Sequence, residues 1–378
     1  MGPAYARRGS SWAILRAMLR FEPSFRLAIA VAAFAVAVVS ASDTALVPTG
    51  VPTAVPTSLQ KLPPRLESYL TRHVRLTADQ RTRLVRGEPV TRILETSDPS
   101  REVAVFGAVW VAAPPARYVE AIKDIERFES GGNFLVTKRI SSPPRLDDFA
   151  ALRLPPDDVA DLRGCRVGSC ELKVSEATLA RVKREVDWTK PTATGDVEAL
   201  ARRLAFDYVN GYMAGGNARL AVYRDNQRPT YVAQEFASMI DRLPALSEHL
   251  PAVRRALLEY PGGQVPGSES FFYWQEAKFG LKPTLRVNHV LIAPDADGVV
   301  VATKMLYASH YFWTALELRV LMPDPARGEG FWFVSTNRSR SDGLSGFVGS
   351  MIRGKVRGEA EKGMQAALRF TKTKMERP

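Results

Sequence analysis

Four histidines and two cysteines are the side chains of this 378-residue chain best suited to acid–base, metal or nucleophilic chemistry. His289 and His310 fall in neighbouring strand-like segments, so their imidazoles could approach each other as an acid–base pair or as part of a metal site. No Asp or Glu at metal-ligand spacing accompanies them, and the expectation is no metal. His73 and His249 lie on charged helical stretches and read as solvated. There is no G-x-S-x-G elbow, H-E-x-x-H motif or P-loop. The sequence therefore offers no catalytic residue and calls for no cofactor, with His289 and His310 the first to test should the chain prove to be an enzyme.

Aromatic spacing points instead to binding. Phe272 and Trp274 alternate along one strand-like segment, Tyr307 and Phe312 occupy the next hairpin, and Phe331 and Phe333 alternate again. With Phe347 and Met351 further on, such residues could line an apolar pocket that needs few polar groups, although an ordinary sheet-to-helix core uses the same ones. Arg286, Lys304, Glu317 and Arg319 are charges inside strands. Alternation with Phe312, Leu316, Leu318 and Val320 assigns Glu317 and Arg319 to an exposed face. Arg286, Lys304 and His289 join the candidate ligand-binding set, since an inward charge demands a partner and a ligand head group could be one.

These residues must be positioned by the elements around them. The N-terminus carries Arg7, Arg8, Arg16, Arg20 and Arg26, an apolar run from Leu27 to Val39, and small residues in Val39-Ser40-Ala41. That order is the pattern of a secretory signal peptide over residues 1–41, and the run is shorter than the roughly 20 residues of a membrane span. The Arg7-Arg8 pair lacks the apolar residues of a twin-arginine signal, and translation from Met18 would remove it. Export, to the periplasm or beyond the cell, would place Cys165 and Cys170 in an oxidising compartment, where Arg166-Val167-Gly168-Ser169 supplies a turn for a disulfide. C-x-x-C redox spacing is absent. The net charge of +12 falls to about +8 without residues 1–41. That surplus suits an anionic surface, while arginine-rich runs interleaved with aromatics, the mark of a nucleic-acid partner, are missing.

Residues 42–65 form a Pro/Thr-rich linker, and the remainder, 66–378, reads as one domain. Thr77-x-x-Gln80 has capping-box spacing. Val103, Val105, Val109 and Val111 recur at strand period, and Pro114-Pro115 then opens a helix carrying Tyr118, Ile122, Ile125 and Phe128. Phe134 to Ile140 is a strand. A mostly helical block spans about 141–267, with helices at Glu176–Val186, Asp196–Tyr212, Thr230–Leu243 and Pro251–Tyr260. Five strands follow in Glu269–Phe279, Thr284–Ala293, Val299–Ser309, Phe312–Met322 and Phe331–Ser339, whose short links favour a meander. After Asp342 the chain turns helical to near Lys374, and Gly354, Gly358 and Gly363 would weaken that helix in isolation. The segment from Arg338 carries ten Lys or Arg against four acids, enough for transient contact with an anionic membrane, or simply a solvated helix face.

Val109-Trp110-Val111-Ala112-Ala113-Pro114-Pro115, with Val119, Ala121 and Asp124, resembles the opening of the START-related lipid-transfer superfamily. Gly343-Leu344-Ser345-Gly346-Phe347-Val348 is similar to the start of its C-terminal helix. The resemblance covers roughly Val103 to Ile140 and Glu269 to Met375 and leaves out Ser141 to Gly267. It implies an α+β helix-grip fold, a curved antiparallel sheet around a long C-terminal helix, here with a helical insertion. It also implies a hydrophobic cavity between sheet and helix, and binding or transfer of a lipid or other hydrophobic small molecule. Cyclase- or hydrolase-like catalysis on the same fold, or a non-catalytic cell-envelope interaction protein with a filled core, are the alternatives.

Overall fold

The computed structural model describes residues 61–279, 282–344 and 346–377, so the signal-peptide region and nearly all of the linker lie outside the described residues. An antiparallel sheet of eight strands organises the chain. Its strands are β1 (Val90–Ile93), β2 (Glu102–Val111), β3 (Phe134–Ile140), β6 (Glu269–Phe279), β7 (Lys282–Asp295), β8 (Gly298–Ala308), β9 (Phe312–Pro323) and β10 (Phe331–Ser341). The spatial order is β1-β2-β10-β9-β8-β7-β6-β3, so β6 to β10 form the expected meander. The two-residue strands β4 (Val222–Tyr223) and β5 (Thr230–Tyr231) pair separately.

Both faces of this curved sheet are covered. In β2 every residue is buried. Val105, Val109 and Val111 face a core that includes Met364, Leu368 and Met375 of the C-terminal helix. Phe106, Ala108 and Trp110 face Leu66, Leu70 and Leu84 on the other side. The period-two valines are thus real, but they are half of a strand buried twice over, a pattern strands show when helices cover both faces of a sheet.

Helices α1 (Pro64–Tyr69) and α2 (Ala78–Val85) cover the outer face of β2 and β10, and α1 runs straight into a π turn, Leu70–Val74. The Thr77–Gln80 capping box is formed at the start of α2, with bonds of 3.0 and 3.2 Å. The Pro114-Pro115 start gives α3 (Pro115–Lys123), which breaks at Asp124 into the single turn α4 (Ile125–Phe128). Tyr118, Ile122, Ile125 and Phe128 are all buried against the inner face. That face is also covered by α11 (Gly346–Glu376), along which Val356, Ala360, Met364, Leu368, Thr371 and Met375 are buried. Gly107 of β2 permits this packing: a Cβ there would lie 2.7 Å from Met364 Cγ. At Gly354 a Cβ would meet nothing within 4 Å, so close contact does not explain that glycine.

Between β3 and β6 the chain forms α5 (Pro156–Gly164), α6 (Glu176–Glu185), α7 (Ala193–Gly215), α8 (Val232–Asp241), α9 (Pro244–His249) and α10 (Pro251–Glu259). These pack on the outer face of the meander in two regions. One holds Phe236, Met239 and Leu257 over Leu291, Ala302 and Leu316. The other holds Val209, Tyr212 and Tyr223 over Phe272, Trp274 and Val287. Cys165 and Cys170 form a disulfide with Cα atoms 4.6 Å apart, closing a turn in which Arg166 and Ser169 exchange backbone hydrogen bonds. Among the described residues no helix is long and apolar enough to cross a membrane.

Candidate functional site

Antiparallel register separates the residues that the sequence grouped. Phe272 pairs with His289 and His289 with Lys304, which places all three on the outer face together with Trp274, Val287 and Tyr307. Arg286, Phe312, Phe331 and Phe333 belong to the inner face: Arg286 pairs with Gln275, and Phe331 and Phe333 pack with Val109 and Val111. Phe347 stands in the first turn of α11. Met351, expected to line a pocket, is 71 % exposed.

The inner face under α11 is strongly polar in its middle. Arg319 was expected on an exposed face and is instead 4 % exposed; both it and Glu317, which it bonds, sit on the face that α11 covers. The misreading has a simple cause: one-sided alternation assumes that one face meets water, and here neither does. Burial alone would lower the Arg319 pKa, but the neighbouring acidic groups of Tyr118, Glu317 and Glu129 outweigh it and raise it. Glu129, buried and held above the ordinary carboxylate range chiefly by desolvation, accepts from Gln275 at 2.7 Å, and Gln275 in turn accepts from Arg286. The Arg286 guanidinium lies 4.6 Å from the Phe279 ring centre. A surface occupied by paired charges is a poor lining for an alkyl chain.

The outer face holds two further groups. Lys304 is fully buried, and its Nζ donates to Tyr212 Oη at 3.2 Å, to the Leu257 carbonyl at 3.3 Å and to Asn217 Oδ1. It stands 4.1 Å from the Phe236 ring centre. Desolvation pushes its pKa well below that of a free lysine. His289 stacks on Phe272 at 4.4 Å and meets Tyr260 edge-on at 4.6 Å. Burial, aided by Lys304, brings its pKa down to about 3, so the ring is neutral at pH 7. His310 lies in the β8–β9 turn with its own partners: Nε2 is 3.0 Å from Asp158 and Nδ1 is 3.2 Å from the Glu171 carbonyl. The two imidazoles share no partner, and the acid–base pair suggested by their strand positions is not assembled. His73 and His249, read as separate solvated rings, are brought together beside Glu248.

The space suited to a ligand opens on the outer face, between α6, α7 and the sheet. It is a cavity of about 450 Å³, lined by Leu172, Val182, Leu200, Leu204, Tyr208 and Tyr223 and floored by Leu285, Val287 and Tyr307. Of the sequence candidates, only Tyr307 lines it. Its wall uses up its own polar groups. Tyr208 Oη donates to the Leu306 carbonyl at 2.7 Å, and Tyr307 Oη donates to the Lys173 carbonyl at 3.1 Å. Tyr223 Oη accepts from the Ala308 N–H at 3.3 Å, and Ser309 Oγ from the Leu285 N–H at 3.0 Å. Burial holds all three phenols above their ordinary pKa. Lys173 Nζ is 2.8 Å from Asp225 and 3.1 Å from Asp342; burial works against its charge, but these two carboxylates more than offset that and raise its pKa. At the rim Asp207 and Arg219 are exposed, and Asp207 accepts from Arg181 at 2.8 Å.

Aromatic alternation along the strands does not register the lining that α6 and α7 supply. The apolar stripe Val197, Leu200, Ala201, Leu204 and Tyr208, at helical spacing, carried the signal. What the geometry can do is enclose an apolar molecule in a wall whose hydroxyls are already committed. Comparison with known family models, curated proteins and solved structures finds no match for the chain.

Proposed function

We propose that this protein binds a hydrophobic small molecule of lipid-like character in the cavity between α6, α7 and the outer sheet face, and that it does so as a non-catalytic carrier in the cell envelope. The observation that carries the reading is the cavity itself: about 450 Å³, dominated by aliphatic side chains and tyrosine rings, within the volume range of small-molecule sites. Its committed hydroxyls favour contact without bond-making. The Cys165–Cys170 disulfide supports an oxidising compartment, and the N-terminal sequence pattern supports export.

The START-like resemblance would put the ligand under the C-terminal helix, in a helix-grip arrangement. The buried Arg286, Glu129 and Arg319, with the half-buried Glu317 bonded to Arg319, favour the opposite face for an apolar guest. Titration with an environment-sensitive apolar fluorophore tests the assignment. Saturable binding that Ala201→Phe abolishes, with the fold retained, supports it; binding untouched by Ala201→Phe and lost on substitution along α11 would move the site to the inner face.

A further inference from the structure

A second site stands apart from the cavity, where the N-terminal helices meet α9. His73, Glu248 and His249 bring one ligand atom each to within 4.8 Å of one another. His73 Nε2 and Glu248 Oε2 are 3.1 Å apart. Zinc held at about 2.0–2.2 Å by nitrogen and oxygen in a tetrahedron requires ligand atoms roughly 3.3 Å from each other. This pair is already close to that spacing, and the third ligand atom, on His249, lies within 4.8 Å of both.

An unpartnered buried nitrogen and a backbone irregularity point to a guest. His249 Nε2 is buried and has no partner among the described residues. A small, largely apolar recess of about 50 Å³ adjoins His249, lined also by Tyr69, Leu250 and Leu318 but by neither His73 nor Glu248. His73 is also displayed by the π turn Leu70–Val74, a helical irregularity found often at functional sites. Arg65 donates to the His249 carbonyl and fixes the end of α9. Arg72, 3.1 Å from Glu248, would remain as a partner behind the carboxylate.

We propose that His73, Glu248 and His249 bind one divalent transition ion of the zinc type, with solvent completing the tetrahedron. Imidazole ligands select zinc-like ions over magnesium or calcium, which prefer all-oxygen sites. The ion would tie the π turn to α9 across the outer sheet face.

The test is calorimetric titration of tag-free, chelator-treated protein with zinc chloride, and separately with magnesium chloride. One zinc per chain and no magnesium uptake are expected. His73→Gln combined with His249→Gln should weaken zinc binding by about 100-fold, and Glu248→Gln alone by about 10-fold or more. Thermal midpoints measured in chelator identify any variant that fails to fold, in which case Glu248→Gln decides. Zinc should raise the midpoint of the parent and leave that of the double variant unchanged. Absence of stoichiometric zinc binding, or binding equal in parent and folded variants, overturns the proposal.

Discussion

The Tyr307 hydroxyl donates to the Lys173 carbonyl across 3.1 Å, joining the floor of the cavity to its wall. Lys173 N–H donates in turn to the Ser309 carbonyl at 2.8 Å. Sheet and helical block are therefore stitched on the cavity's own boundary, and the ring of Tyr307 is held between those of Tyr208 and Tyr223, each 6.1 Å away. Tyr307→Phe should keep the apolar wall and lose one hydrogen bond, costing about 1 kcal/mol. Urea unfolding checks the stability, and fluorophore affinity should change less than twofold.

Lys304 is buried without a carboxylate partner at its hydrogen-bonding positions. Its lowered pKa means that folding opposes its protonation: the associated stability is complete above the unfolded lysine value near 10.4 and is lost as pH falls toward the folded value. Lys304→Met should therefore stabilise the protein at pH 7 by about 1–2 kcal/mol, with the gain shrinking above pH 10. Denaturant midpoints at pH 7 and 10.5 measure this.

His289 gives an acid limb of the same sign. With the folded pKa near 3 against about 6.5 unfolded, its stabilising effect is intact above pH 6.5 and erodes below it, by up to about 1.4 kcal/mol per pH unit. The difference in stability between parent and His289→Gln should narrow from pH 7 to pH 4.5. Because His289 and Lys304 are paired across β7 and β8, the two substitutions should not add. A double-mutant cycle in urea reads that coupling.

Two glycines make opposite predictions. Gly107→Val would drive a side chain into Met364 and Leu368 and should destabilise by about 2–3 kcal/mol. Gly354→Ala meets nothing and should stabilise α11 by about 1 kcal/mol. Thermal melts of the two variants provide the comparison.

How much of this could be read from the sequence depends on what each pattern encodes. The bounds of Glu269–Phe279 and Phe134–Ile140 agree with the strands formed, and the helix expected after Asp342 forms as Gly346–Glu376. Turn residues and periodicity are local, and they sufficed there. Glu317 and Arg319 show what they omit. Arg319 is buried because α3 lays Tyr118 over the inner face at β9, a tertiary contact that no strand announces. The cavity lay hidden for a related reason: Leu200 and Leu204 look like any amphipathic helix until their distance from Val287 leaves a gap. His73 and His249, 176 residues apart in the chain, meet only in the tertiary structure, where Arg65 and Tyr69 of α1 touch His249 of α9.

The central claim is that the outer-face cavity carries an apolar ligand. Organic extraction of the purified protein followed by mass spectrometry tests it most directly. A lipid-like molecule at about one per chain in the parent, and its loss from folded Ala201→Phe, is the predicted result. Parent protein that yields no bound molecule and no saturable uptake of added lipid would contradict it.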